Sequence, residues 1–238
     1  MRMTKLVKCA ALGIAALGIL ALAGCGQQAA KGEKTYKVGI VQLVEHSSLD
    51  DANRGFVDGL KERGYEEGKN LTIDRQNAQA DQSNLQNIVQ RFISDKVDLI
   101  CAIATPAVQS AANATKDIPI VGTAVTDYVS AKVVKSNDAP GGNVTGTSDL
   151  TPIAEQIDLL MKLYPNAKTI GTIYSSSEVN SEIQVKAMKE YAESKGLTVR
   201  VATISTVNDI QQAAQSIIND VDVFYEPTDN VIASAMPT

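Results

Sequence analysis

The chain has 238 residues and a formal net charge of −5, and this length is enough to bury a hydrophobic core. Binding to nucleic acid needs clustered lysine and arginine that displace counterions, so the acidic balance argues against a nucleic-acid partner. Tryptophan is absent and aromatic residues make up 4% of the chain, which disfavours a barrel that encloses an apolar ligand.

The first 25 residues have the layout of an export signal. A positively charged start precedes the run from Cys9 to Ala23, which is apolar and carries no charge. The run is too short for a transmembrane helix, which needs about 20 apolar residues. The segment Leu22 to Cys25 resembles the lipobox of bacterial lipoproteins. We therefore expect residues 1–24 to be a lipoprotein signal peptide and Cys25 to carry a lipid; the alternative is an ordinary signal sequence with an incidental cysteine.

Residues 25–35 are predicted to be a flexible tether, because they are mostly small and polar. Of the three cysteines, Cys9 leaves with the signal and Cys25 is lipidated, so Cys101 alone remains in the folded part. We therefore expect no disulfide, and a Cys101 that acts as a small buried apolar side chain.

Strands and helices alternate from Tyr36 onward. The run from Val97 to Ala104 is almost continuously apolar, which is typical of a strand in a parallel sheet. Gly64 is a suitable helix stop, and Asp81 a suitable helix cap. We expect residues 36–145 to form an N-terminal α/β lobe. The predicted strands are 36–43, 71–75, 97–104 and 118–125, and the predicted helices are 48–63, 81–94 and 105–114.

The alternation restarts after Gly142 and predicts a second α/β lobe over residues 146–238. Val38 to Val41 can be laid beside Ile170 to Ile173, which favours two similar lobes, although any two α/β segments look alike at this level. The last residues begin a helical pattern with no strand after it, so we expect this sequence to lack its C-terminal part. The predicted helices are 151–163, 181–194 and 208–219, and the predicted strands are 169–174, 197–202 and 221–225.

Candidate binding residues lie in the loops that follow the predicted strands. Ligands of open parallel sheets bind beyond the carboxyl ends of the strands, where helix N-termini offer N–H groups. Lysine and arginine are missing from these loops, so a zwitterion suits them better than a phosphate or sulfate. The predicted ligand-binding residues are Gln42, His46, Thr105, Pro106, Thr126, Asp127, Tyr128, Ser175, Ser176, Ser177, Asn180, Asp229 and Asn230.

A zwitterionic ligand suggests a role for several of these residues. Thr105 and the serines 175–177 are candidates to bind a carboxylate, and Asp229 or Asp127 to pair with an ammonium. The ring of Tyr128 or Tyr174 is a candidate to cover an aromatic ligand. Each residue also has an ordinary structural interpretation as a helix cap or turn former.

Catalytic patterns are lacking in the sequence. His46 is the only histidine, and no cluster of Cys, His or carboxylate residues has the spacing of metal ligands. No Gly-x-Ser-x-Gly turn accompanies His46, and no glycine-rich phosphate loop follows the first strand. We therefore expect no enzyme activity, no cofactor and no metal.

A set of short motifs extends from about Lys37 to the last residue. They are 38–42 with 45–46, 55–60, 104–107, 126–127, 141–146, 173–174, 176–178 with 180, and 227–230. Together these motifs resemble those of the ABC transporter substrate-binding proteins of the tryptophan/tyrosine type. This resemblance implies an α/β fold of the type I periplasmic-binding-protein kind, with two Rossmann-like lobes of parallel sheet and an amino acid-like ligand between them. It also implies delivery to an ABC permease and its ATPase.

Two departures from the family pattern fall in the predicted binding loops, so they bear on which ligand is bound. Tyr128 stands where we expect a proline, and Ser47-Ser48 stands where a proline-containing pair is common. The resemblance also places Gly141 to Gly146 near the first crossover between lobes, where it would serve as a hinge.

Two other function classes stand beside a transport receptor, and the sequence does not separate the first of them from it. A sensory lipoprotein that presents its ligand to a membrane receptor would show the same motifs. A secreted hydrolase would have to use His46. In each case the lipidated Cys25 places the protein outside the cytoplasm, anchored to a membrane.

Overall fold

Two parallel β-sheets organise the computed structural model, which describes residues 34–236. The predicted signal peptide, Cys25 and the tether up to residue 33 lie outside these described residues, as do residues 237–238. Both sheets belong to one compact unit that begins at Thr35. The prediction of an α/β fold with parallel sheets is confirmed.

The first lobe contains five parallel strands in the order β2-β1-β3-β4-β5. Its centre is made by β1 and β3, whose apolar residues are almost completely buried, as expected for strands with helices on both faces. Its strands are β1 (Tyr36–Gln42), β2 (Leu71–Asn77), β3 (Leu99–Ile103), β4 (Ile120–Val125) and β5 (Val144–Ser148), and its helices are α1 (Ser47–Glu62), α2 (Gln82–Ser94) and α3 (Thr105–Ala114).

The helices of the first lobe begin and end where the sequence predicts. Asp81 caps α2, its carboxylate accepting a 2.8 Å hydrogen bond from the backbone N–H of Asn84. Gly64, at a φ of +85°, follows the end of α1. A side chain at Gly39 would meet the ring of Phe92 at less than 3 Å, so this glycine lets α2 pack closely on β1.

The second lobe contains three parallel strands in the order β7-β6-β8. Ile170 on β6 and Met188 on α5 are fully buried in its core. Its strands are β6 (Thr169–Ser175), β7 (Thr198–Ile204) and β8 (Val223–Phe224), and its helices are α4 (Ile153–Leu163), α5 (Val179–Ser194), α6 (Ile210–Ile217) and α7 (Asn230–Ala235), with short 3-10 turns at Val207–Asp209 and Ile218–Asp220.

Strand β5 was missed by the sequence prediction. It pairs with β4, so the sheet of the first lobe extends to Ser148, beyond the predicted boundary at residue 145. Only Val144 is buried among the five residues of the strand, so no apolar alternation marks it. The predicted helix 208–219 is also divided, because its two ends are 3-10 turns.

The connection between β4 and β5 is held by a buried tyrosine. Tyr128 is 5% exposed, packs in the core of the first lobe and donates a hydrogen bond from its hydroxyl to the Thr147 carbonyl oxygen at 3.1 Å. Gly122 and Gly146 make room for this side chain, since a Cβ at either glycine would lie within 2.6 Å of the hydroxyl. Within residues 34–236, no helix combines the length and the apolar character that a membrane span requires.

Candidate functional site

A cavity of about 490 Å³ lies between the carboxyl ends of the strands of the two lobes, where open parallel sheets bind ligands. Both lobes contribute to its walls. From the first lobe it is lined by His46, Ser48, Leu49, Ala52, Thr123, Ala124, Thr126, Thr147, Ser148 and Asp149, and from the second by Asn180, Glu226, Pro227, Thr228, Asp229, Asn230, Ala233 and Met236.

The amino end of α1 forms one side of this cavity. His46 is the N-cap residue in an extended conformation, and its side chain makes no capping hydrogen bond. The helix has 16 residues, so its dipole places positive charge and N–H groups at this wall. Gln42, the last residue of β1, is hydrogen-bonded to the first turn of this helix and so fixes its position. Its amide nitrogen donates to the Val44 carbonyl oxygen and to Asp50 Oδ1, at 2.9 and 2.7 Å.

Asp229 is a buried structural acid on the opposite wall. Its side chain is 1% exposed. Oδ2 accepts hydrogen bonds from the backbone N–H of Ser175 and the hydroxyl of Ser181, both at 2.7 Å. Oδ1 accepts from the N–H of Ile232 at 2.9 Å and so caps α7. These bonds join β6, α5 and α7 at one point.

A second buried acid, Glu178, completes this junction. Its carboxylate accepts the backbone N–H groups of Asn230 and Val231 at 2.9 to 3.1 Å, and one from the Asn180 side-chain amide at 3.0 Å. Burial raises the pKa of Glu178, and repulsion by Asp229 adds to the increase. The two acids therefore hold the start of α5 against the start of α7.

Asn180 carries an unpaired, buried acceptor beside the cavity. Its amide nitrogen donates to Glu178 and to the Thr228 carbonyl oxygen, each at 3.0 Å. Its Oδ1 has no hydrogen-bond partner among the described residues, although the side chain is 97% buried and lines the cavity. A buried acceptor without a partner costs about 1–3 kcal/mol. A ligand with an N–H group would remove that cost.

Two further carboxylates make the cavity acidic. Glu226 is an exposed residue, yet desolvation of its carboxyl raises its pKa to about 8, with repulsion by Asp229 as the second cause. Desolvation also raises the pKa of Asp149, against a hydrogen bond from Thr126 that lowers it. No Lys or Arg among the described residues lines the cavity. A cationic group is therefore favoured beside these carboxyl groups.

Hydrogen bonds beside the cavity connect the two lobes. His46 Nε2 lies 3.4 Å from Asn230 Oδ1. The amide nitrogen of Gln184, on α5, donates to Thr126 Oγ1 at 3.2 Å. Ala80, from the loop after β2, packs against a buried apolar cluster of the second lobe. The lobes therefore meet on several sides of the cavity.

Five of the predicted ligand-binding residues come together at this cavity. They are His46, Thr126, Asn180, Asp229 and Asn230. Sequence reasoning did not single out Glu226, although it lies in a candidate loop, and it missed Asp149. Asp149 follows the unpredicted strand β5, so no strand end marked it as a candidate.

Other predicted residues have structural partners instead. Asp127 accepts hydrogen bonds from the N–H and hydroxyl of Ser130 and forms a turn. Ser175 and Ser177 share a hydrogen bond between their hydroxyls at 2.9 Å, and Ser176 donates to the Ile204 carbonyl oxygen at 3.1 Å. None of these residues lines the cavity, and neither Gln42 nor Tyr128 does so.

Three more candidates lie at α3 or against the core of the second lobe. Thr105 is 2% exposed, and its hydroxyl has no partner among the described residues. Pro106 and Ser177 line a different groove, about 700 Å³ in volume, beside α2 and α3. Tyr174 packs against the core of the second lobe. The roles that the sequence suggested for these residues stay predictions.

Neither a metal centre nor a reactive thiol is evident in the described part of the chain. Residues 34–236 contain no group of three His, Cys, Asp or Glu side chains that could hold a metal ion. Cys101 is buried, and desolvation raises the pKa of its thiol to about 12. At neutral pH this cysteine is therefore a protonated core residue.

Comparisons with known proteins agree with this architecture. The chain is 48% identical over 231 residues to a tyrosine-binding protein of Clostridioides difficile, covering 93% of this chain and 67% of that one. It is 43% identical to a solved ABC domain in complex with L-Trp from Streptococcus pneumonia, with a TM-score of 0.82 over 86% of this chain and 69% of that one. The chain thus spans about two thirds of the length of these relatives.

A third relative was solved without ligand. The ligand-free, open structure of a substrate binding protein with adhesive properties from Clostridium difficile is 50% identical, and 85% of this chain and 69% of that chain are covered. Its TM-score is 0.60.

The family model for ABC transporter substrate binding proteins matches residues 37–238. This range includes both sheets and every residue that lines the cavity. Proteins of this family bind solutes and are not enzymes, which confirms the prediction made from the missing catalytic patterns. The chain belongs to the family of ABC transporter substrate-binding proteins.

Proposed function

We propose that this chain is the extracytoplasmic substrate-binding lipoprotein of an ABC importer, and that it binds an aromatic amino acid between its lobes. The observation that carries the proposal is the buried Oδ1 of Asn180, which has no partner among the described residues, on a residue that lines an acidic cavity between the lobes. A zwitterion with an ammonium at this end satisfies both the acceptor and the charge.

The ammonium end of the ligand binds the second lobe. Asn180 Oδ1 accepts one of its N–H groups, and Glu226 supplies a carboxylate when ionised. Asp229 and Glu178 are already saturated by backbone and hydroxyl donors. They position Asn180 and Asn230 and contribute negative potential, so we assign them a supporting role and not the direct contact that the sequence suggested for Asp229.

The carboxylate end of the ligand binds at the amino end of α1. The helix dipole favours an anion there, and the Ser48 hydroxyl and the His46 ring lie on the same wall. The amino end of α1 on the first lobe and the carboxyl groups of Glu226 and Asp229 on the second lobe line the same cavity. This combination fits an α-amino acid, whose opposite charges lie at adjacent groups of one small molecule.

The side chain of the ligand packs on aliphatic groups. Leu49, Ala52 and Met236 line the cavity, and no aromatic residue among the described ones does so. The aromatic character is inferred from the relatives, since one is named a tyrosine-binding protein and another was solved with L-Trp. In this chain the ring therefore packs on Leu49 and Met236 and not on Tyr128 or Tyr174.

Import requires a membrane anchor and partners. The lipobox-like segment that ends at Cys25 supports attachment of the protein to a membrane through a lipid. The family match supports delivery of the ligand to an ABC permease and its ATPase. Both elements of the proposal are testable in cells, by labelling with a radioactive fatty acid and by uptake of the amino acid.

A thermal-shift comparison of ligands tests the binding proposal. L-Tyrosine and L-tryptophan should raise Tm, because a ligand at about 100 times its Kd adds about 2.7 kcal/mol of stability. The matched controls are 3-(4-hydroxyphenyl)propionate, which lacks the ammonium, and tyramine, which lacks the carboxylate. Neither control should raise Tm at equal concentration. An equal shift with the propionate would contradict the role of Asn180, and no shift with any amino acid would contradict the proposed function.

A further inference from the structure

Gln184 connects the two lobes without lining the ligand cavity. It lies on α5 in the second lobe and is 1% exposed. Its Oε1 accepts the backbone N–H of Thr228 at 3.2 Å, and its Nε2 donates to the Thr228 hydroxyl. The same Nε2 donates across the lobe boundary to Thr126 Oγ1 at 3.2 Å.

We infer that Gln184 is a positioning residue that holds the lobes closed over the ligand, so that it sets how long the ligand stays bound. The predicted effect of Gln184 on ligand release rests on the proposed function. Its predicted effect on lobe closure does not. Thr126 belongs to the first lobe and Thr228 to the second. When the lobes part, Gln184 keeps its bonds to Thr228 and loses the one to Thr126.

The hydrogen bond to Thr126 stabilises the closed arrangement because both partners are buried there. Thr126 is 3% exposed and Gln184 is 1% exposed, so water does not replace either partner in the closed arrangement. In an open arrangement water can solvate both groups. A net hydrogen bond of this kind changes the ratio of closed to open molecules by about two- to tenfold.

The effect on the ligand follows from the change in this ratio. Apparent affinity is reduced in proportion to the fraction of molecules in the binding-competent arrangement. Gln184 does not line the cavity, so its loss leaves the ligand contacts in place. We expect faster dissociation of ligand and little change in association, because the lobes must open before the ligand leaves.

We call the hydrogen bond between Gln184 and Thr126 the latch. Matched substitutions separate its effect on lobe closure from a purely structural role. Thr126→Val removes the hydroxyl that receives the Gln184 bond, while Thr126→Ser retains it. Gln184→Met removes the amide at similar length. Gln211→Met, on exposed α6 surface, is the control for a glutamine change that touches neither lobe boundary. Thr126 lines the cavity, so its two variants are compared only without ligand, and that comparison decides the question if Gln184→Met fails to fold.

Small-angle X-ray scattering of the protein without ligand is the first readout. Thr126→Val and Gln184→Met should increase the radius of gyration relative to wild type, and Thr126→Ser and Gln211→Met should not. This readout needs no ligand, so it stands even if the amino acid proposal fails. Unchanged scattering from folded Thr126→Val and Gln184→Met would overturn the latch.

Stopped-flow binding of L-tyrosine is the second readout. Gln184→Met should release tyrosine about two- to tenfold faster, with association changed by less than about twofold. Equal dissociation rates in wild type and folded Gln184→Met would also overturn the latch. If wild-type protein binds no tyrosine, the proposed function fails and the scattering result alone decides the latch.

Discussion

Glu226 makes ligand binding depend on pH in a direction that the structure fixes. Desolvation in the cavity and repulsion by Asp229 raise its pKa to about 8, so in the free protein the carboxyl is mostly protonated at pH 7. An ammonium beside it favours the ionised form and lowers the pKa on binding. Binding therefore releases a proton, and affinity rises as pH increases toward 8.

The size of this effect follows from the fraction of ionised carboxyl. With a pKa of about 8, roughly 9% of the molecules carry the carboxylate at pH 7 and about 50% at pH 8. If the ionised form alone binds tightly, affinity for L-tyrosine rises about fivefold over this interval. The proton released at pH 7 approaches one per ligand bound.

Isothermal titration calorimetry in buffers of different ionisation enthalpy measures both quantities. Wild-type protein should show the rise in affinity and the proton release, while Glu226→Gln should show neither. His46, Asp149 and Asp229 also face the cavity, and the Glu226→Gln variant retains them, so it isolates the contribution of Glu226. Affinity that is constant from pH 7 to pH 8 in wild type, with no proton released, would refute the reasoning.

Three predictions concern the stability of the fold and need no ligand. Gly146→Ala should lower the free energy of unfolding in urea by about 3 kcal/mol, because its Cβ would lie 2.1 Å from the Gly122 carbonyl oxygen; Gly142→Ala, with open space around it, is the control. Asp229→Asn should cost about 3 kcal/mol by the same measurement, since its new amide would face the Ser175 N–H. Asp81→Ala should lower stability by about 1 kcal/mol through loss of the α2 cap. Changes below about 0.5 kcal/mol in any of them would contradict the corresponding contact.

Most of the fold could be predicted because its signals are local. Apolar runs mark β1 and β3, Asp81 marks the start of α2, and Gly64 marks the end of α1. Strand β5 carries none of these signals, because four of its five residues are exposed. It is defined by pairing with β4, and pairing across distant parts of the chain leaves no periodicity in one strand.

The candidate site was predictable in position but not in detail. Strand ends placed His46, Thr126 and Asn180 near the cleft, as the structure shows. The sequence could not show that the carboxylate of Asp229 is already saturated, or that Asn180 keeps one free acceptor. Both facts depend on hydrogen bonds between residues about fifty positions apart. Residue type alone does not reveal which polar atom still lacks a partner.

The most direct test of the account is a crystal structure of the protein with L-tyrosine. We expect one ligand in the cavity between the lobes, with its ammonium hydrogen-bonded to Asn180 Oδ1 and its carboxylate at the amino end of α1. A ligand in the groove beside α2 and α3, or one whose ammonium faces α1 and not Asn180, would contradict it.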